Sequence, residues 1–75
     1  MTLLNCELNK KCKIISLNVE DEKLKIHLME IGFFKFNIVS VSKRSVLKKT
    51  LLVDVLDSCF AIKDDMAKLI EVEYV

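Results

Sequence analysis

The sequence has almost none of the residues that usually make turns. It holds one glycine and no proline in 75 residues, where average usage of ~7% and ~5% would give roughly five and four. Turns must therefore be built by Asn, Asp, Ser and Lys, of which Asn and Asp best tolerate a positive φ. Neither sign of charge is in excess: 12 Lys+Arg oppose 11 Asp+Glu, for a net +1. That balance supplies no broad basic field for nucleic acid and no acidic surface for cationic partners. Long apolar runs are missing as well. They extend over three or four residues, as at Ile31-Gly32-Phe33-Phe34, whereas a membrane span needs roughly 20. The opening Met1-Thr2-Leu3-Leu4-Asn5 has no basic region and no long apolar stretch, so no signal peptide is expected and a cytoplasmic location is.

What is present is globular: 52% hydrophobic and 31% charged residues, in one domain spanning 1–75 with no repeat, linker or low-complexity stretch. A chain of this size buries only about 60% of its unfolded surface and needs a dense core. Cys6, Cys12 and Cys59 cannot all pair within one chain and show no CxxC spacing. They read as reduced thiols, mostly buried as small hydrophobes.

The elements are short. Lys13–Val19 is β-branched and apolar enough for a strand. Glu20–Ile31 is the one helical stretch, with Leu24, Leu28 and Ile31 at i, i+4, i+7 on one face. Asn18 or Asp21 is placed to cap it, the early acids suit its positive end, and Gly32 follows where a helix wants a positive φ. Period two then takes over. Val39 and Val41 share a face, Lys43–Lys49 reads as a polar loop, and Leu51, Val53 and Val55 alternate. Asp57-Ser58 is a two-residue turn signal that pairs Thr50–Leu56 with Cys59–Ile62. Lys63–Leu69 reads as a helical turn, and Ile70, Val72 and Tyr74 alternate with Glu71 and Glu73. The expected core is Ile15, Leu17, Leu24, Leu28, Ile31, Phe33, Val39, Val41, Val53, Val55, Phe60, Ile62 and Ile70. Five short strands cannot form two packed sheets. They can curl into one small barrel, mainly β, with the short helix between strands 1 and 2 over an open end.

No catalytic constellation is evident, and an enzyme is not expected. A barrel this small is filled by its own side chains. His27 with Glu30 offers two ligands where a metal site wants three or four. Cys6 and Cys12 have the wrong spacing for a zinc knuckle, and no local signature supports a cysteine–histidine nucleophile. The purified protein is expected to carry no cofactor, with weak or transient iron or zinc binding left open. Lys43, Arg44, Lys48 and Lys49 form a basic cluster, read either as a solvated loop or as a recognition loop presenting Leu47 between charges. Phe33-Phe34-Lys35-Phe36 holds three of the four phenylalanines. If Phe33 packs under the helix end, Phe34 turns outward. Phe34, Leu47, Lys48 and Lys49 are the candidate partner-binding residues, with Phe34 neighbouring the loop. Such a patch serves a partner or a second copy equally.

The order of these pieces resembles the FeoA family of small ferrous iron transport proteins. The opening Thr2-Leu3 fits. The family's Leu-x-x-Gly-x-x-Gly segment places its glycines at Asn9 and Cys12. Arg-Leu-x-x-Leu-Gly-Phe corresponds to His27–Phe33, Thr-Pro-Gly to Phe34-Lys35-Phe36, and Ala-Pro-Leu-Gly-Asp-Pro loosely to Ser45–Thr50. Ala-x-x-Ile-x-Val-Glu corresponds to Ala67–Glu73. The resemblance runs over the whole chain and implies a five-stranded SH3-like barrel. It also implies a bacterial, non-enzymatic partner of FeoB, the membrane ferrous iron transporter with a cytosolic GTPase domain. The C-terminal SH3-like domain of iron-dependent repressors of the diphtheria-toxin type shares the barrel. A free-standing transition-metal-binding or sensing barrel is therefore the alternative. A nucleic-acid-binding barrel is a minor one, opposed by the charge balance.

Overall fold

The helix is built as its two ends dictate. In the computed structural model, which describes residues 1–75, the Asp21 carboxylate accepts from the N–H groups of Lys23 and Leu24 at 3.0 and 3.2 Å. It thereby caps α1 (Glu22–Ile31) and satisfies two of the backbone donors that a helix start leaves free. At the other end Gly32 adopts φ 119°. The Gly32 N–H donates to the Met29 carbonyl (3.2 Å) and the Phe33 N–H to the Leu28 carbonyl (2.9 Å). This bond pair is the Schellman arrangement, which needs a residue free of Cβ at its left-handed position. The Asn37 side-chain amide donates to the Gly32 carbonyl at 2.6 Å and ties the exit of the helix to the following strand. Leu28 is the fully buried residue of α1, while Leu24 and Ile31 pack against the core from its margin.

The strands are β1 (Cys12–Leu17), β2 (Ile38–Ser45), β3 (Thr50–Val55), β4 (Ser58–Lys63) and, after the single turn α2 (Asp64–Ala67), β5 (Ile70–Tyr74). They form one sheet in the order β4-β3-β2-β1-β5, every neighbour antiparallel. The molecule measures 28 × 27 × 23 Å, so the sheet wraps around its core. This is a small SH3-like barrel of five strands with one helix between β1 and β2, as the sequence leads one to expect. The first residues join it. Thr2 bridges Glu71, the Leu3 N–H donates to the Ile70 carbonyl and the Val72 N–H to the Met1 carbonyl.

Sixteen apolar residues form the buried cluster. Val39, Val41, Leu51, Val53, Val55, Ile70 and Val72 follow the alternation, and Phe33 meets Phe60 edge-to-face at 6.4 Å. The expected core needs correction in β1. Cys12 and Ile14 point inward and Ile15 outward. A bulge between Ile14 and Ser16, against β5, then resets the phase and brings Leu17 back against the core. Leu3, Cys6, Val19 and Ala67 are buried too.

Three boundaries also move. β1 starts at Cys12 and stops at Leu17, short of Val19. Lys43–Lys49 is not all loop, because Lys43, Arg44 and Ser45 pair with Leu52, Leu51 and Thr50 and extend β2. The last rung of β3 and β4 is Val55–Ser58, so the two-residue turn is Leu56-Asp57 and not Asp57-Ser58. With proline absent and glycine used once, the left-handed positions fall to Asn9, Phe36, Lys49 and Leu56, at φ 60°, 75°, 52° and 56°. Asn9 and Lys49 fit the turn chemistry expected from the composition. Phe36 and Leu56 do not, and both side chains are exposed.

Candidate protein-docking surface

The β2–β3 hairpin presents the most exposed apolar side chains of the molecule. Its turn consists of residues 46–49, where Leu47 is 98% and Val46 80% exposed. The tip is held rigidly. The Lys48 N–H donates to Ser45 Oγ (3.3 Å) and the Thr50 hydroxyl to the Lys48 carbonyl (2.9 Å). Lys49 makes the left-handed turn, and its carbonyl accepts from the Asp64 N–H at 2.9 Å, which binds the hairpin to the start of α2. Leu47 is therefore held in water by a fixed backbone, with Lys48 and Lys49 beside it, and does not fold back onto the barrel. Arg44, counted by the sequence among the basic loop residues, does other work. Its guanidinium donates to the Leu4 and Cys6 carbonyls at 2.9 and 3.0 Å and anchors the N-terminal segment.

Phe34 does not neighbour this tip. It lies in the connection from α1 to β2, and all eight residues of β2 separate it from Leu47, roughly 23 Å at ~3.3 Å per residue. Phe34 is exposed, as Phe33's burial suggests, but its company is Phe36, Ile38 and Leu56 at the opposite end of the sheet. The Phe36 ring there is flanked by the Lys13 and Lys35 ammoniums at 5.9 and 5.1 Å. The structure thus brings together Leu47, Lys48 and Lys49 and leaves Phe34 out. Val46 is the residue that sequence reasoning passed over. Its signal was present, an apolar pair at the centre of a basic turn.

The metal candidates stay apart. No three His, Cys, Asp or Glu side chains gather anywhere in the structure. His27 is exposed on α1, at the rim of an apolar groove of about 350 Å³ that Leu28, Phe60 and Met66 help to line. Cys6 and Cys12 are buried and Cys59 is exposed. Burial pushes the Cys12 thiol up to about 11, with the adjacent Cys6 thiol adding to the shift, so it stays protonated at neutral pH.

Comparison with known proteins agrees with this architecture. The FeoA domain pattern matches residues 1–74. A Campylobacter jejuni protein, whose name proposes it as Fe(2+) transport protein A, is 33% identical over 75 residues, covering 100% of both chains. The FeoA protein of Chlorobium tepidum superposes with a TM-score of 0.90 at 16% identity, over 100% of this chain and 70% of that one. Stenotrophomonas maltophilia FeoA, described as a prokaryotic SH3 domain protein complexed with zinc, superposes at 0.83 with 28% identity, over 97% and 89%. Two glycine positions of the family pattern, at Asn9 and Phe36, are left-handed here. Two others are Cys12, a buried strand residue, and Lys48, exposed in the β2–β3 turn. With a match from the first residue to the penultimate one and a relative of equal length at one-third identity, this chain belongs to the FeoA family.

Proposed function

We propose that the protein serves ferrous iron uptake as a cytoplasmic interaction module, docking on the cytosolic part of a FeoB-type membrane iron transporter, and that it is not an enzyme. Family membership supplies the process, since the Campylobacter jejuni relative carries Fe(2+) transport in its name. The observation that carries the docking is Leu47, 98% exposed on a hairpin whose turn is locked by hydrogen bonds. An apolar anchor held in water by a fixed backbone gains when a partner covers it and loses little entropy in being covered. No helix is long and apolar enough to cross a membrane, so contact with the transporter runs through its water-exposed region. The metal-sensing alternative would need a convergent ligand set, and the candidate donors lie apart. The Stenotrophomonas maltophilia protein is described as complexed with zinc, whereas no three His, Cys, Asp or Glu side chains gather in this chain.

The test is binding of the full chain to the transporter's cytosolic part by calorimetry. Leu47→Asp should keep the parent's thermal midpoint, because the side chain touches no core. It should weaken binding at least tenfold, which is about 1.4 kcal/mol. Equal binding by the folded variant would place the docking surface elsewhere. No binding by the parent would refute the module reading, and sedimentation at rising concentration would then show whether the hairpin pairs with a second copy instead.

A further inference from the structure

Beside the Leu47 tip, the outer face of the sheet carries a groove lined with lysines. The strand register aligns Ser45, Thr50 and Lys63 on one rung and Lys43, Leu52 and Ala61 on the next outward rung. Their neighbours Leu51 and Ile62 turn inward into the core. Lys48 closes the end from the turn. The resulting groove, about 320 Å³, is lined by Lys43, Ser45, Lys48, Thr50, Leu52 and Ala61, with no carboxylate among them. Lys49 and Lys63 stand in an adjoining notch with Asp64 and Asp65. The three ion pairs of the molecule use Lys10, Lys13 and Lys68, so Lys43, Lys48, Lys49 and Lys63 have no carboxylate within ion-pair distance. In a chain of net charge +1, that is a local separation of charge, and like charges held together favour an anion between them.

Which anion is decided by what else the face offers. The aromatics that would stack nucleic-acid bases are absent from it. Phe34 and Phe36 lie beyond the other end of β2, and Tyr74 is on β5, at the opposite edge of the sheet. A lone phosphate would leave the Leu52 floor and the exposed Val46 and Leu47 without partners. An acidic polypeptide satisfies both halves. Successive rungs on one face lie about 7 Å apart, which is also the spacing of side chains i and i+2 on an extended chain.

We infer that this groove binds an extended acidic segment of a partner protein, with carboxylates at i and i+2 over the two lysine-bearing rungs and a large apolar side chain against Val46 and Leu47. The inference rests on the docking reading above and gives its partner a chemistry. Two carboxylates beside Lys43 and Lys48 gain attraction without breaking any ion pair, and the attraction weakens with salt.

The test is an NMR titration of the labelled full chain with a capped hexapeptide of leucine, glutamate, serine, glutamate, serine and leucine. The amides of Lys43, Ser45, Lys48, Thr50, Leu52 and Ala61 should shift, and the affinity should fall several-fold between low and physiological salt. Lys43→Glu combined with Lys48→Glu should abolish these shifts while the remaining spectrum stays that of the parent. Absence of shifts in the parent, equal shifts in the charge-reversed variant, or equal effects from inorganic phosphate would overturn the inference. Tighter binding of a six-nucleotide thymidine strand would overturn it in favour of nucleic acid. The transporter assay separates the two proposals. A parent that binds the peptide but not the transporter refutes the docking reading alone. A charge-reversed variant that binds the transporter as the parent does, while Leu47→Asp fails, refutes the groove alone.

Discussion

Gly32→Ala should be among the most damaging single-methyl additions to this protein. Two costs add. At φ 119° an L-residue is strained by about 1–3 kcal/mol. The new methyl also has no room, because a Cβ at Gly32 collides with Val55 Cγ1 and touches Leu56 Cδ1 at 3.5 Å. Val55 is fully buried in the core strand β3 and cannot swing aside, and overpacking of this kind costs about 1–3 kcal/mol. Against these, alanine stiffens the unfolded chain and returns about 0.4–1 kcal/mol. The net loss is about 1–5.5 kcal/mol, centred near ~3, where a domain of 75 residues at ~0.05–0.15 kcal/mol per residue holds about 4–11 kcal/mol in all. Urea denaturation followed by circular dichroism reads this as a midpoint lowered by about 1–4 M, taking a slope near ~1.5 kcal/mol per molar. A Val55→Ala background removes the colliding atom and keeps the backbone strain. The Gly32→Ala penalty should shrink there by about 1–3 kcal/mol, a coupling that only contacting residues show. An unchanged midpoint for Gly32→Ala, or the same penalty in both backgrounds, would refute the argument.

Leu28→Ala should cost about 2–5 kcal/mol, since it opens a cavity beneath the only fully buried position of α1; a parent-like urea midpoint would contradict that packing. Leu56→Gly should stabilise by about 0.5–1 kcal/mol, because the left-handed strain it relieves exceeds glycine's entropy cost and the side chain is mostly in water; a lower midpoint would show that its contact with the Gly32 turn matters more. The Cys12 thiol gives a pH signature. Its proton is held to about 11 in the folded state against an ordinary 9.0, so the unfolded chain ionises first and stability falls as pH rises from 9 towards 11, by up to about 2–3 kcal/mol. Stability curves of the parent and Cys12→Ala should therefore diverge above pH 9, and parallel curves would refute the shift.

What the sequence determined by itself is the part governed by contacts a few residues apart. Asp21 before an apolar i, i+4, i+7 face and Gly32 after it specify both ends of α1, because caps and periodicity act within one or two turns. Alternation likewise set the inward faces of β2, β3 and β5, and Leu47 between basic residues already marked the exposed tip of the β2–β3 hairpin. The tertiary structure decided whatever depends on one strand's register against another. The β1 bulge against β5 turned Ile14 in and Ile15 out. Pairing with β3 drew Lys43 and Arg44 into a strand, and Arg44 reached back to carbonyls about forty residues away. The length of β2 parted Phe34 from Leu47. The lysine groove exists only because three strands align Lys43, Ser45, Thr50 and Lys63 on neighbouring rungs, with Lys48 over the end. Those alignments are settled by hydrogen bonds between distant segments and by burial of the opposite face of the sheet, and no local pattern of residues contains them.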